Sequence, residues 1–197
     1  MWGSYRKKHK CKSGNAKYRR DGNRGLARLT VRAKPGNPSR GLLDAGGVVF
    51  PCALGRGGIS SRKREGDGAT PLGAMRLRSG YFRADQMAAR HARLKMTPID
   101  GGLGWCDRPD DRNYNRPVRL PYRGSHEDMH RADRLYDVCI VLDWNIVPRQ
   151  RGRGSAIFFH LARPGFTPTQ GCVAVTARVM ARLLPRLSSR TVLEVKR

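Results

Sequence analysis

The chain reads as a mainly β protein, a sandwich or barrel of short strands with a few short helices. Its apolar runs are short, with Val138–Leu142 among the longest. Turn formers recur throughout, 23 Gly and 12 Pro in 197 residues. Helix-period patterning is confined to a few segments, and short strands between frequent turns are the pattern of all-β folds.

Taken in order, residues 1–28 form a basic arm with little to bury, followed by one domain over 29–197. Leu29-Thr30-Val31 starts the first strand, and the turn residues 35–39 break it. Residues 46–55 read as a short buried strand between glycine turns, 55–68 as an exposed loop, and Met75–Arg78 alternates like a half-buried strand. A helix is expected over 85–94, with Met87, Ala88 and His91 near one face. Residues 100–124 are rich in Gly, Pro, Asp, Asn and Arg and read as the longest irregular stretch, with Trp105, Tyr114 and Tyr122 placed either to wall a cleft or, the reading preferred, to pack the loop onto the core. Residues 125–135 read as a short helix capped by Ser125, with Asp128 three positions on. Strands follow at 136–143, 156–160 and 173–175. Thr176 caps a helix over 177–184, whose Val179, Met180, Leu183 and Leu184 share a face, Pro185 ends it, and Val192–Val195 is the last strand.

Forty Lys and Arg stand against fifteen Asp and Glu, a net charge of +25. Residues 1–40 hold thirteen of the basic residues and a single acid, Asp21. Such a field attracts polyanions, whether nucleic acid, anionic lipid or cell-wall polymer, without choosing among them. No recognised nucleic-acid motif accompanies it, and aromatics do not interleave with the basic residues as a base-stacking platform requires. No apolar run reaches the roughly 18 residues of a membrane-spanning helix, and the basic N-terminus lacks the apolar stretch of a secretory signal. The five cysteines at 11, 52, 106, 139 and 172 include no CxxC pair, and their odd number leaves at least one unpaired thiol in a monomer.

Two segments carry chemistry. In the first, an apolar run ends at His160, and Cys172 follows twelve residues on, directly after Gly171. Cysteine is a nucleophile as thiolate, and a nearby imidazole can take its proton. A preceding glycine lets backbone N–H groups approach a reacting carbonyl. In the second, His126-Glu127-Asp128-Met129-His130 fits H-E-x-x-H, which on a helix would place two imidazoles on one face for zinc with Glu127 as general base. Its neighbours Arg131, Asp133 and Arg134 argue instead for a solvated face, and a third ligand is poorly supplied.

The first segment resembles the L,D-transpeptidase family, also called YkuD or ErfK/YbiS/YcfS/YnhG. Its signature of His, a spacer, Ser or Thr, any residue, Gly, Cys and a branched apolar residue falls on His160, Thr169, Gly171, Cys172 and Val173. A second block, Gly66 to Met75 with Thr70-Pro71-Leu72-Gly73, is similar to the turn and strand that precede the catalytic half in that family. The resemblance spans roughly residues 29–195 and implies the same mainly β fold. It implies a cysteine nucleophile at Cys172, His160 as acid and base, and an oxyanion hole at the Cys172 amide and a neighbouring amide of the 169–171 turn. The implied substrate is a peptidoglycan stem tetrapeptide, and no cofactor is implied. Two positions depart from the pattern: Ala174 stands where many members have Arg, and Gln170 where others have His or Arg. Arg163 and Arg178 are the arginines expected to hold substrate carboxylates in place of that Arg, alongside Thr169 and Gln170.

Overall fold

A computed structural model describes residues 25–86 and 92–197. Fourteen strands run through them. The first six are β1 (Arg28–Lys34), β2 (Asn37–Asp44), β3 (Val49–Ala53), β4 (Ile59–Ser60), β5 (Thr70–Pro71) and β6 (Gly73–Phe82). Next come β7 (Met96–Pro98), β8 (Leu103–Cys106), β9 (Arg116–Arg119) and β10 (His126–Asp128). The last four are β11 (Val138–Leu142), β12 (Phe158–Leu161), β13 (Val173–Val175) and β14 (Val192–Lys196), with one helix, α1 (Ala177–Leu183), before β14.

The main sheet runs β11-β12-β13-β3-β2-β1-β14-β6-β7, and β6 also pairs with β11. That extra pairing joins the two ends, so the sheet closes into a barrel with β7 attached beside β6. Closure removes the unpaired edges that an open sheet would expose. Strand alternation fills the interior. Leu29 and Val31 of β1 and Leu193 and Val195 of β14 are buried while Arg28 and Arg32 point away. They meet Leu43, Met75, Leu77, Ile140, Phe159 and Val173 in one core. The Thr176 hydroxyl accepts from the Val179 N–H at the start of α1, as the capping pattern predicts, and Met180 and Leu183 of the helix join the same core.

β11 is buried on both faces. Val138, Ile140 and Leu142 face the barrel interior, whereas Cys139 and Val141 belong to a second core with Trp105, Met129, Tyr136, Phe158 and Cys172. This second core is built by the small antiparallel sheet β10-β8-β9 lying over the outside of the barrel. Strands buried on both sides read as continuous apolar runs, which is why Val138–Leu142 is among the longest in the chain.

Three expectations are corrected here. The irregular stretch 100–124 contains β8 and β9, whose Trp105 and Tyr114 are buried as expected of its aromatics. The helix over 125–135 is absent: His126–Asp128 is a strand paired with β8, His126 opposite Cys106 and Asp128 opposite Gly104. Cross-strand pairing overrides the local capping signal at Ser125. In the loop 55–68, Lys63 is buried rather than exposed, its ammonium donating to the Asp67 carboxylate and to the Arg64 carbonyl. The expected helix over 85–94 falls largely on residues 87–91, and Cys11 in the arm, all outside the described residues; of the arm, Leu26 is buried and its N–H donates to the Arg186 carbonyl.

Candidate active site

β12 and β13 are neighbouring parallel strands, with Phe159 opposite Val173 and His160 opposite Ala174. Because side chains alternate along a strand, His160 and Phe158 share a face with Cys172 and Ala174. The twelve-residue spacing of His160 and Cys172 is therefore a crossover loop that returns the chain to start β13 beside the end of β12. Both residues line one cavity of about 410 Å³ over the outer face of the barrel, together with Glu65, Asp107, Glu127, Arg131, Tyr136, Ser155, Ala156, Arg163, Thr169, Gln170 and Ala174.

The turn before Cys172 is held from several sides. Gly171 has φ +133°, and a Cβ there would lie 2.8 Å from the Ala69 carbonyl oxygen, so only glycine fits. Ala69 belongs to the Gly66–Met75 block, so the two motif blocks are in contact. Thr70 of that block is fully buried and its hydroxyl accepts from the Gly55 N–H at 2.8 Å. The Thr169 hydroxyl donates to the Cys172 carbonyl at 2.7 Å and accepts from the Gly171 N–H at 3.2 Å. Thr169 thus shapes the turn from within.

His160 is 4% exposed. Its Nδ1 lies 2.8 Å from the Leu161 carbonyl, an acceptor only, so Nδ1 carries the proton, and the Leu135 carbonyl also lies against the ring. The ring packs edge-on to Tyr136, centroids 5.3 Å apart. Burial, reinforced by the nearby Arg131 guanidinium, pushes its pKa down from 6.5 to about 4. The Cys172 thiol donates to the Ala156 carbonyl at 3.2 Å, and its sulfur accepts from the Phe158 N–H at 3.3 Å. Burial pushes this thiol up from 9.0 to about 12. Both shifts favour the uncharged forms, a neutral thiol and a neutral imidazole, over a thiolate–imidazolium pair.

Several residues that the sequence did not single out for this cavity surround the pair. Glu127 faces it from β10, accepting from the Tyr136 hydroxyl at 3.3 Å, with its pKa raised chiefly by burial. The signal for Glu127 was the H-E-x-x-H match itself. As a strand that leads into a bend, however, the segment does not stack His126 and His130 one helical turn apart; His126 Nδ1 meets the Gly124 carbonyl at 2.8 Å and His130 is exposed. Among the described residues no group of three His, Cys, Asp or Glu side chains is arranged to hold a metal ion.

Arg131 stands over the Tyr136 ring at 5.3 Å and shares the Asp133 carboxylate with Arg163, which donates to it at 2.9 Å. These two guanidiniums hold Asp133 well below the usual carboxylate range, Arg131 foremost. Of the four expected substrate-binding residues, Thr169, Gln170 and Arg163 line the cavity. Arg178 is exposed on α1 and is not among the lining residues. Ala174, opposite His160, is fully buried at the cavity wall.

The family model for YkuD, the L,D-transpeptidase catalytic domain, matches residues 37–195. Among solved structures, the chain is similar to Mycobacterium tuberculosis L,D-transpeptidase 1, at 14% identity over 85% of this chain and 60% of that one, with a TM-score of 0.36. It is also similar to LD transpeptidase LdtMt1 in complex with imipenem, at 14% identity over 85% and 58% of the two chains, with a TM-score of 0.39. The chain spans less than two thirds of the length of either. No curated protein matches it. The family match runs from β2 to β14 and takes in the His160–Cys172 crossover and the Gly66–Met75 block that packs against it, and by this match the chain belongs to the L,D-transpeptidase catalytic domain family.

Proposed function

We propose that residues 29–197 form a cysteine-dependent L,D-transpeptidase domain that acts on peptidoglycan stem tetrapeptides. The observation that carries this reading is the placement of Cys172 and His160 on one face of adjacent parallel strands, inside a cavity, with His160 Nδ1 engaged by the Leu161 carbonyl. Nε2 is thereby left as the base.

Cys172 Sγ attacks the carbonyl of the third stem residue as His160 Nε2 takes the thiol proton. The tetrahedral intermediate collapses by breaking the bond to the terminal D-alanine, whose nitrogen receives that proton, and a thioester remains on Cys172. An amine of a second stem then attacks the thioester, passes its proton through His160 and releases Sγ with a 3–3 cross-link. Water in place of the amine yields the trimmed tripeptide, the L,D-carboxypeptidase outcome. Backbone amides at Cys172 and Gln170 stabilise the oxyanion, since the Thr169 and Gly171 amides are engaged by the Leu54 carbonyl and the Thr169 hydroxyl. Because the resting pair is neutral, proton transfer accompanies attack rather than preceding it.

Arg163 and Gln170 at the cavity wall offer donors to the stem carboxylates, Arg163 with its planar fork of N–H groups. The net charge of +25 favours approach to an anionic wall polymer, and the substrate places the activity in the cell envelope. Among the described residues no helix is long and apolar enough to cross a membrane.

The test is intact-protein mass spectrometry with disaccharide-tetrapeptide on wild type and Cys172→Ala. The expected result is a tripeptidyl adduct on wild type, absent from the variant, followed by cross-linked dimer or free tripeptide. Turnover by Cys172→Ala at the wild-type rate would overturn the reading.

A further inference from the structure

Asn115 is 1% exposed and lies outside the motif blocks, in the stretch leading into β9. Its backbone has φ +57°, in the left-handed region. All its side-chain valences are used. Oδ1 accepts from the Trp105 indole N–H at 3.0 Å and from the Ala156 N–H at 3.0 Å. Nδ2 donates to the Trp144 carbonyl at 3.1 Å and to the Asn145 carbonyl at 3.0 Å. One amide therefore ties the small covering sheet, through Trp105, to the β11–β12 loop, through Trp144 and Asn145.

The bond to Ala156 bears on the nucleophile. Ala156 is itself left-handed, φ +51°, a conformation that a non-glycine residue keeps only when its surroundings impose it. Its carbonyl accepts the Cys172 thiol proton at 3.2 Å, and two residues on the Phe158 N–H donates to the same sulfur. Asn115 Oδ1 holds the N–H of the residue whose carbonyl orients the thiol.

We propose that Asn115 is the positioning residue for the Cys172 thiol: its Oδ1 fixes the left-handed Ala156, and Ala156 presents its carbonyl to the sulfur. The inference rests on the acyl-transfer reading for its consequence in turnover, though not for its geometry. Without the Oδ1 anchor, Ala156 relaxes toward ordinary backbone angles and its carbonyl leaves the thiol.

Three variants separate this role from a structural one. Asn115→Gly removes the side chain at a backbone angle that glycine tolerates. Asn115→Ser keeps a hydroxyl too short to reach both Ala156 and Trp105. Asn115→Asp keeps the Oδ1 acceptor and replaces the two donors to Trp144 and Asn145 by a buried carboxyl oxygen, which can donate to one of those carbonyls only as the protonated acid.

The first readout is the Raman S–H stretching band of Cys172, isolated by subtracting the spectrum of the matching Cys172→Ala protein. It needs no substrate, so it tests the positioning even if no stem peptide is turned over. Thermal unfolding and kcat and KM with disaccharide-tetrapeptide are measured alongside. Asn115→Gly and Asn115→Ser should move the band to that of a thiol without an acceptor and lower kcat at least tenfold with KM within about twofold. Asn115→Asp should lose thermal stability yet keep the wild-type band and most of kcat. An unmoved band in a folded Gly or Ser variant would overturn the proposal, as would a band that moves as far in Asn115→Asp. Correct band shifts with no adduct or turnover in wild type would leave the positioning standing and remove the transpeptidase reading.

Discussion

Gly171 lies so close to Ala69 that a methyl group on it would sit 2.8 Å from the Ala69 carbonyl oxygen. The contact couples the residue before Cys172 to the block leading into β5. Gly171→Ala adds this clash to a backbone angle, φ +133°, that L-residues avoid. It should cost about 2 kcal/mol of stability and, by displacing Sγ, reduce adduct formation about a hundredfold. Thermal unfolding and the mass-spectrometric assay check both; a variant with wild-type acylation would show that the turn has room to spare.

Burial makes His160 a contributor to acid lability. Its folded pKa, about 4, lies below the 6.5 of an unperturbed imidazole. Unfolding therefore takes up a proton between those values. The stabilisation is complete above pH 6.5 and is lost as pH falls toward 4, with a slope of at most about 1.4 kcal/mol per pH unit. Denaturant unfolding from pH 7 to pH 4 should be less pH-dependent in His160→Gln than in wild type. Identical slopes would mean that the imidazole is charged in the folded protein.

The neutral thiol makes a prediction of the opposite sign in pH. Burial raises Cys172 from 9.0 to about 12, so its thiolate fraction near neutrality lies well below that of an unperturbed thiol. Iodoacetamide labelling of Cys172 in the free protein at pH 8, followed by peptide mass spectrometry, should be at least tenfold slower than in the denatured chain and should rise with pH. The same shift stabilises the fold fully below pH 9 and is lost as pH rises toward 12. Rapid labelling at pH 7 would instead indicate a standing thiolate–imidazolium pair.

Two arginines are separated by position. Arg163 lines the cavity, tethered to Asp133 at 2.9 Å, whereas Arg178 is exposed on α1. Arg163→Ala should raise KM for stem peptide about tenfold with little change in kcat, the pattern of lost ground-state binding. Arg178→Ala should leave both unchanged. Equal effects of the two substitutions would reassign the carboxylate site.

Much of the site was legible in the chain because it is local. The His160–Cys172 spacing, the glycine before the nucleophile and the Thr70-Pro71 block are short motifs. The strands that carry them announce themselves by apolar runs, and α1 by its Thr176 cap and apolar face. The same local reasoning misplaced 125–135 as a helix, because Ser125 and Asp128 mimic a capping box while the pairing of His126–Asp128 with Leu103–Cys106 is non-local. For the same reason it placed Glu127 in a zinc motif when the strand turns it into the cysteine cavity.

The residues alone determined the mainly β fold and the motif that pairs His160 with Cys172. Only the tertiary structure decided how these groups are charged and held. Barrel closure through β6 and β11, the covering sheet β8–β10 and the resulting second core remove Cys172 and His160 from water, and desolvation then shifts both toward their neutral forms. The Asn115 side-chain oxygen that accepts from the Ala156 N–H comes from 41 residues away. Such a partnership depends on register and topology, which no short stretch of sequence contains.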